Sequence, residues 1–189
     1  MKRIAITGGI GSGKSYVCRI LKGKGIDVYD CDEAAKRLMR TSEVIRSRLT
    51  ELIGAQVYDG ERLNKPVMAQ FLLSSDENQR AINAIVHPAV GEDFLRSGMK
   101  WMECAILFES GFDKLVDYKI CVVAPLEIRL QRIMQRDGLT RQKAMEWISK
   151  QMPQEEVSSK CDFVIVNDGV ADLQQQIENL NNIIKYRTL

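Results

Sequence analysis

Gly8-Gly9-Ile10-Gly11-Ser12-Gly13-Lys14-Ser15 stands between an apolar run, Ile4-Ala5-Ile6-Thr7, and a helical pattern, Tyr16-Val17-Cys18-Arg19-Ile20-Leu21. The apolar run reads as a buried parallel strand. A strand, a glycine-rich turn and a helix in that order form the cradle that holds nucleotide phosphates. The glycines let the backbone fold tightly and turn its N–H groups inward. The helix that follows adds the positive end of its dipole. In such a cradle Gly8, Gly9, Gly11, Ser12 and Gly13 lie against phosphate, Lys14 reaches the β- and γ-phosphates, and Ser15 offers a hydroxyl to Mg²⁺.

The chain has 189 residues, which suggests one domain with room for an insert. Lys and Arg total 27 against 25 Asp and Glu, a balance that gives no push toward nucleic acid or anionic membranes. Any basic function must therefore be local. Cys18, Cys31, Cys104, Cys121 and Cys161 are odd in number and never in CxxC spacing, so zinc and redox-motif readings are weak. The N-terminus runs straight into a strand, with no signal peptide, and no apolar stretch approaches a membrane span. A reduced, cytoplasmic protein is expected.

Five apolar runs alternate with helical patterns. They are Ile4–Thr7, Ile26–Tyr29, Cys104–Phe108, Tyr118–Val123 and Phe163–Val166. This order predicts an α/β fold with a five-stranded, doubly wound parallel sheet. Near the end, Val170, Leu173, Ile177, Leu180 and Ile184 form one stripe at helical spacing and read as core. About 33–100 is mostly helical, with a turn at Tyr58-Asp59-Gly60-Glu61, and is too long for a simple crossover. It reads as a helical insert. A second insert, Pro125 to Cys161, is polar, helical and rich in arginine.

Several residues at the ends of these runs suit phosphoryl transfer. Asp30-Cys31-Asp32 closes the second run, and carboxyl ends of parallel strands face the ligand crevice. A carboxylate there can orient or deprotonate an attacking hydroxyl. Helix capping explains an Asp here equally well, with Asp30 or Cys31 in the cap position and Asp32 toward substrate. Glu109 ends the third run and can help hold Mg²⁺ through water, or serve simply as a solvated residue at a strand exit. Arg129, Arg132 and Arg136 share one helical face, and Arg141 follows the turn at Asp137-Gly138. An arginine-bearing flap beside a phosphate cradle suits a closing lid; a solvated charged face is the plainer alternative. His87, before Pro88, is the one histidine of the chain. It fits a packed polar role or a substrate contact.

Taken in order, Thr7–Ser15, Asp30-Cys31-Asp32, His87-Pro88, Leu107-Phe108-Glu109, Gln135-Arg136-Asp137-Gly138 and Asn167-Asp168-Gly169 resemble the dephospho-CoA kinase family. The resemblance runs from residue 2 to about 180. It implies a P-loop NTPase fold of the nucleoside-monophosphate-kinase type, with a CoA-binding insert at about 33–100 and a lid at about 126–158. It implies transfer of the ATP γ-phosphoryl group to the ribose 3′-hydroxyl of dephospho-CoA, with ATP and Mg²⁺ as cofactors and small molecules as partners. Asp32 would be the base, Lys14, Arg136 and Arg141 the catalytic cations, and His87 part of the acceptor region. Asn167 and Gly169 would border adenine. Two departures stand out. The run Ala105–Glu109 lacks the proline common before the family's Leu-Leu-Phe-Glu, and Tyr16 replaces a common threonine. Its hydroxyl sits farther from the backbone, while its backbone N–H can still meet phosphate.

Rival readings meet obstacles in the same residues. A GTPase switch needs Asp-x-x-Gly and Asn-Lys-x-Asp; neither string occurs, and Asn64-Lys65 runs into Pro66. A motor ATPase favours an arginine supplied by a neighbouring subunit. A kinase of the same shape acting on another small acceptor remains open.

Overall fold

The computed structural model describes residues 2–186, and the side chains of 181 and 183–186 lie outside the described residues. The described chain divides into two compact units, Met1–Tyr29 with Met99–Leu189, and Asp30–Gly98.

The first unit is built on a five-stranded sheet. Its strands are β1 (Ile4–Thr7), β2 (Val28–Asp30, whose last residue opens the second unit), β5 (Trp101–Glu103), β6 (Tyr118–Val123) and β7 (Phe163–Val166), in the order β2-β5-β1-β6-β7. β1 lies in the middle, paired parallel with both β5 and β6, and all four of its residues are buried. An uninterrupted apolar run is what a strand covered on both faces requires. α1 (Lys14–Gly23) and α9 (Leu173–Tyr186) pack together and bury Val17, Leu21, Ile177 and Leu180 in one core with Ile4, Ile6, Ile120 and Ile165. α6 (Leu126–Asp137), α7 (Arg141–Ser149) and α8 (Gln154–Ser159) follow β6. Leu130, Ile133 and Ala144 form a second small core there, onto which Ile10 and Ile148 pack. The edge strand β7 is closed by a side chain: the Gln176 amide donates to the Val166 carbonyl at 2.9 Å and accepts from the Val166 N–H at 2.9 Å. That satisfies backbone groups that would otherwise invite another strand.

The second unit holds α2 (Cys31–Thr41), α3 (Glu43–Ile53), the hairpin β3 (Tyr58–Asp59) and β4 (Arg62–Leu63), α4 (Lys65–Ser74) and α5 (Asp76–Ser97). Its helices begin at capping side chains: Asp30 accepts from Glu33 N–H, Ser42 from Ile45, Asn64 from Val67 and Ser75 from Asn78. The turn expected at Tyr58–Glu61 is the hairpin, with Gly60 at φ 55°. Arg46 holds it, donating to the Gly60 and Glu61 carbonyls at 2.6 and 2.9 Å with its guanidinium over the Tyr58 ring. Pro88 sits inside α5 and cannot donate to the Ala84 carbonyl. Both residues are exposed, so water can satisfy that carbonyl.

Three expectations need correction. The third strand is Trp101–Glu103, not Cys104–Phe108. Cys104 N–H makes the last rung to the Ile6 carbonyl at 3.0 Å, and the chain then turns, with Ser110 N–H on the Ile106 carbonyl and Phe112 N–H on the Leu107 carbonyl. Cys104 and Leu107 are buried inside this turn, which is why the segment is apolar without being a strand. The second strand begins at Val28 rather than Ile26, and α2 begins directly at Cys31. Val170 does not share the buried stripe of α9: it is 90% exposed and precedes the helix, and the side chain of Ile184 lies outside the described residues. Among the described residues no helix is long and apolar enough to cross a membrane.

Candidate active site

The glycine-rich loop joins β1 to α1 and folds under tight constraint. Gly8, Gly11 and Gly13 have φ of 138°, 79° and 93°, where a side chain is strained. Space forbids one as well. A Cβ on Gly8 would strike the Val122 carbonyl, one on Gly11 would come within 2.7 Å of the Arg129 carbonyl, and one on Gly13 would strike the Asn167 amide. Among the described residues the N–H groups of Gly11, Gly13 and Ser15 make no hydrogen bond, the donor set that a helix start offers to an anion. Lys14 folds back over the loop, its Nζ donating to the Gly8 carbonyl at 2.8 Å. Ser12 lies within the same loop. Its side chain is fully buried and its N–H donates to the Gly9 carbonyl at 3.1 Å, so it shapes the loop from within.

Ser15 Oγ donates to Glu103 Oε1 at 2.9 Å. Glu103 ends β5 and pairs in register with Ile6, one residue before the end of β1. A hydroxyl and a carboxylate so placed are hard oxygen donors of the type Mg²⁺ takes alongside nucleotide phosphates. Their donor chemistry fits that ion. Burial, together with the same carboxylate, pushes the neighbouring Cys18 thiol well above its ordinary range, so Cys18 stays protonated. Glu109, expected in the metal position, lies exposed in the turn after β5. The acid that ends β5 is Glu103, six residues earlier. The signal available in the sequence was Trp101-Met102-Glu103, a short apolar pair closed by an acid. A longer apolar run beside it drew the assignment away.

The arginines of α6 divide into two groups. Arg129 is 5% exposed, and its Nε donates to the Ile10 carbonyl at 2.9 Å. Arg132 donates to the Gly11 and Ser12 carbonyls at 3.3 and 3.2 Å and to Asn167 Oδ1 at 3.2 Å. The Asn167 amide in turn donates to the Ser12 carbonyl at 2.8 Å. Gln151 joins them, accepting from Ile10 N–H at 2.7 Å. Arg136 and Arg141 lie elsewhere. Arg136 pairs with Asp137 at 2.8 Å, and Arg141 grips Glu127 with both nitrogens at 2.7 and 2.6 Å. Both pairs are exposed.

Beside this network is a cavity of about 650 Å³ in the same unit, large enough for a nucleoside. Gly13, Tyr16, Arg132, Asn167 and Gly169 line it, together with Arg19 and the turn that starts α9. Asp168 shapes that turn by accepting from Val170 and Ala171 N–H at 2.9 and 2.8 Å. The structure thus brings together the loop glycines, Lys14, Ser15, Tyr16, Asn167 and Gly169, and adds Arg129, Arg132 and Glu103.

In the second unit Asp30 takes the capping role, its Oδ1 accepting from Glu33 N–H at 3.0 Å. Asp32, in the first turn of α2, is exposed. His87 is half-buried in α5, and burial holds its imidazole below its ordinary pKa, neutral at pH 7.

Known proteins supply an independent comparison. The family model described as dephospho-CoA kinase matches residues 2–172. The chain belongs to the dephospho-CoA kinase family. A curated dephospho-CoA kinase from Bacteroides fragilis (strain YCH46) is 43% identical over 185 residues, covering 94% of this chain and 90% of that protein. The crystal structure of TT1252 from Thermus thermophilus superposes with a TM-score of 0.82 at 31% identity, covering 98% of this chain and 97% of that one. A dephospho-CoA kinase from Campylobacter jejuni shares the fold, with a TM-score of 0.70 at 21% identity over 99% of this chain and 98% of its own. The family shares the parallel-sheet P-loop NTPase fold described above.

Proposed function

We propose that the chain transfers the γ-phosphoryl group of ATP to the ribose 3′-hydroxyl of dephospho-CoA, the last step of coenzyme A synthesis. The observation that carries the reading is the cavity that opens directly from Gly13 of the phosphate loop, in a chain of this family. A polyphosphate on the loop continues there into a base-sized space.

Lys14 leaves the Gly8 carbonyl to meet β- and γ-phosphate oxygens, and the N–H groups of Gly11, Gly13 and Ser15 cradle the rest. Gly8 and Gly9 keep the loop narrow. Asn167 and Gly169 border adenine, and Arg132 closes that border. Ser15 and Glu103 would hold Mg²⁺, which would supply positive charge to offset that on the transferring group. Asp32 orients the acceptor hydroxyl and takes its proton; with Asp30 occupied as the cap, Asp32 is the carboxylate left for that work. The unit Asp30–Gly98 receives the acceptor, with His87 as a neutral contact. Residues 126–158 serve as the lid. Arg136 and Arg141 exchange Asp137 and Glu127 for phosphate oxygens as the lid closes, since exposed ion pairs are weak enough to be traded.

The test is a coupled ADP-release assay with MgATP and dephospho-CoA, run beside AMP, CMP and shikimate as acceptors. Dephospho-CoA should be preferred by orders of magnitude, and the product should carry the new phosphate on the ribose 3′-oxygen. Equal or faster turnover with a rival acceptor would overturn the reading.

A further inference from the structure

Tyr16 is 50% exposed, a large aromatic ring left in the open two residues after Lys14. Arg19, also exposed, carries its guanidinium over that ring, 5.4 Å from the centroid. Both side chains line the cavity that opens from Gly13. Their arrangement along α1 has a direction. Helical side chains lean toward the N-terminus of their helix. Arg19 follows that lean, so its charge lies over a residue three positions nearer the loop, about 4.5 Å along the axis. Arg19 therefore brings positive charge toward the end of α1 where phosphate binds. The ring beneath it keeps the long side chain from wandering, since a cation is attracted to an aromatic face even at an exposed site. No carboxylate pairs with Arg19 among the described residues, so its charge faces the cavity uncompensated.

We propose that Tyr16 and Arg19 act together on the donor nucleotide, with the Arg19 guanidinium, braced on the Tyr16 ring, pairing with the α-phosphate. The proposal rests on the reading that this cavity takes ATP. It explains the departure at position 16. A threonine would offer a hydroxyl close to the backbone; tyrosine offers instead a platform for a cation that reaches the same phosphate from one turn away. Arg19 contributes to donor binding and has no part in acceptor binding or proton transfer.

Calorimetric binding of ADP and of adenosine separates the possibilities. For R19Q, the ADP dissociation constant should rise about three- to tenfold at low salt, while adenosine binding stays unchanged. The difference should shrink in high salt, where exposed charges are screened. Y16F keeps the platform and should match the wild type; Y16A, which removes the ring without adding a hydroxyl, should weaken ADP binding as R19Q does, by a smaller factor. In steady-state assays R19Q should raise the KM for ATP with little change in the KM for dephospho-CoA. Unchanged ADP binding in a folded R19Q protein would overturn the proposal, as would equal weakening of ADP and adenosine, or a Y16F defect as large as that of Y16A. Failure of the wild-type protein to bind ADP at all would overturn the nucleotide reading itself, so the two failures are distinct.

Discussion

At the scale of single residues, the site turns on which carboxylate stands beside Ser15. Glu103 is hydrogen-bonded to it at 2.9 Å, whereas Glu109 is exposed in the following turn. Glu103→Gln should therefore lower turnover roughly 10- to 100-fold and raise the Mg²⁺ requirement, because the amide cannot orient the metal shell as a carboxylate does. Glu109→Gln should stay within about twofold of the wild type. Initial rates across a Mg²⁺ titration check both, and the opposite ranking would return the metal role to Glu109. Asp32→Asn should retain ATP binding and lose most of the transfer rate, since the amide keeps the shape but cannot accept the proton. Single-turnover assays with purified, folded variant decide it; unchanged turnover would make Asp32 a spectator. These residues were unequally legible in the sequence. Lys14 and Ser15 were readable because a glycine-rich loop leaves its signature in consecutive positions. Glu103 was not, because its place beside Ser15 depends on strand register: β5 pairs Glu103 with Ile6, and register is a nonlocal property.

At the scale of elements, the informative piece is the helical pair α6–α7. Spacing revealed an arginine face but not which arginines turn inward. Arg129 and Arg132 are drawn to the loop carbonyls because Leu130 and Ile133 bury against Ile10, which fixes the rotation of α6. Three loop carbonyls, at Ile10, Gly11 and Ser12, thereby gain charged donors. Leu130 is fully buried, so Leu130→Ala should cost about 2–5 kcal/mol from lost burial and the cavity left behind. Thermal melting measures that loss, and ADP binding should weaken alongside it as the loop loses its support. The same anchoring divides the proposed lid. The side chains of Arg129, Arg132 and Gln151 tie their segments to the loop, whereas Arg136 and α7 are held outside by exposed ion pairs. Hydrogen exchange should slow most across 134–149 when both substrates bind, and least across 128–133. Uniform protection of the whole segment, or none, would argue against a lid hinged at the loop. The boundary of β5 shows why an apolar run alone misled: Cys104 and Leu107 are buried in a turn, and burial without alternation does not distinguish turn from strand.

At the scale of the whole molecule, the chain offers an unusually clean titration. His87 is its one histidine, and it belongs to the unit Asp30–Gly98. Burial lowers the folded-state pKa of that imidazole below its ordinary value of 6.5. The unfolded chain therefore takes up a proton at a higher pH than the folded chain does. Above about pH 6.5 both states are neutral at this group and it contributes no slope. As pH falls below that value the unfolded state gains the proton first, so stability falls. The loss continues until the folded imidazole is also charged. Exposed carboxylates such as Asp117, Glu127 and Asp137 are held below their ordinary range by partners. Their contributions disappear near and below about pH 4, a separate window. Denaturant unfolding between pH 7.5 and 5 should thus show declining stability in wild type and a flatter profile in His87→Gln, which keeps a polar side chain without the proton. The imidazole resonance, followed by NMR through the same range, should titrate below 6.5. A midpoint above 6.5 would mean that the histidine is stabilised in its charged form, and its proposed part in acceptor binding would become that of a cation; an equal stability slope in wild type and His87→Gln would mean that burial does not shift the imidazole.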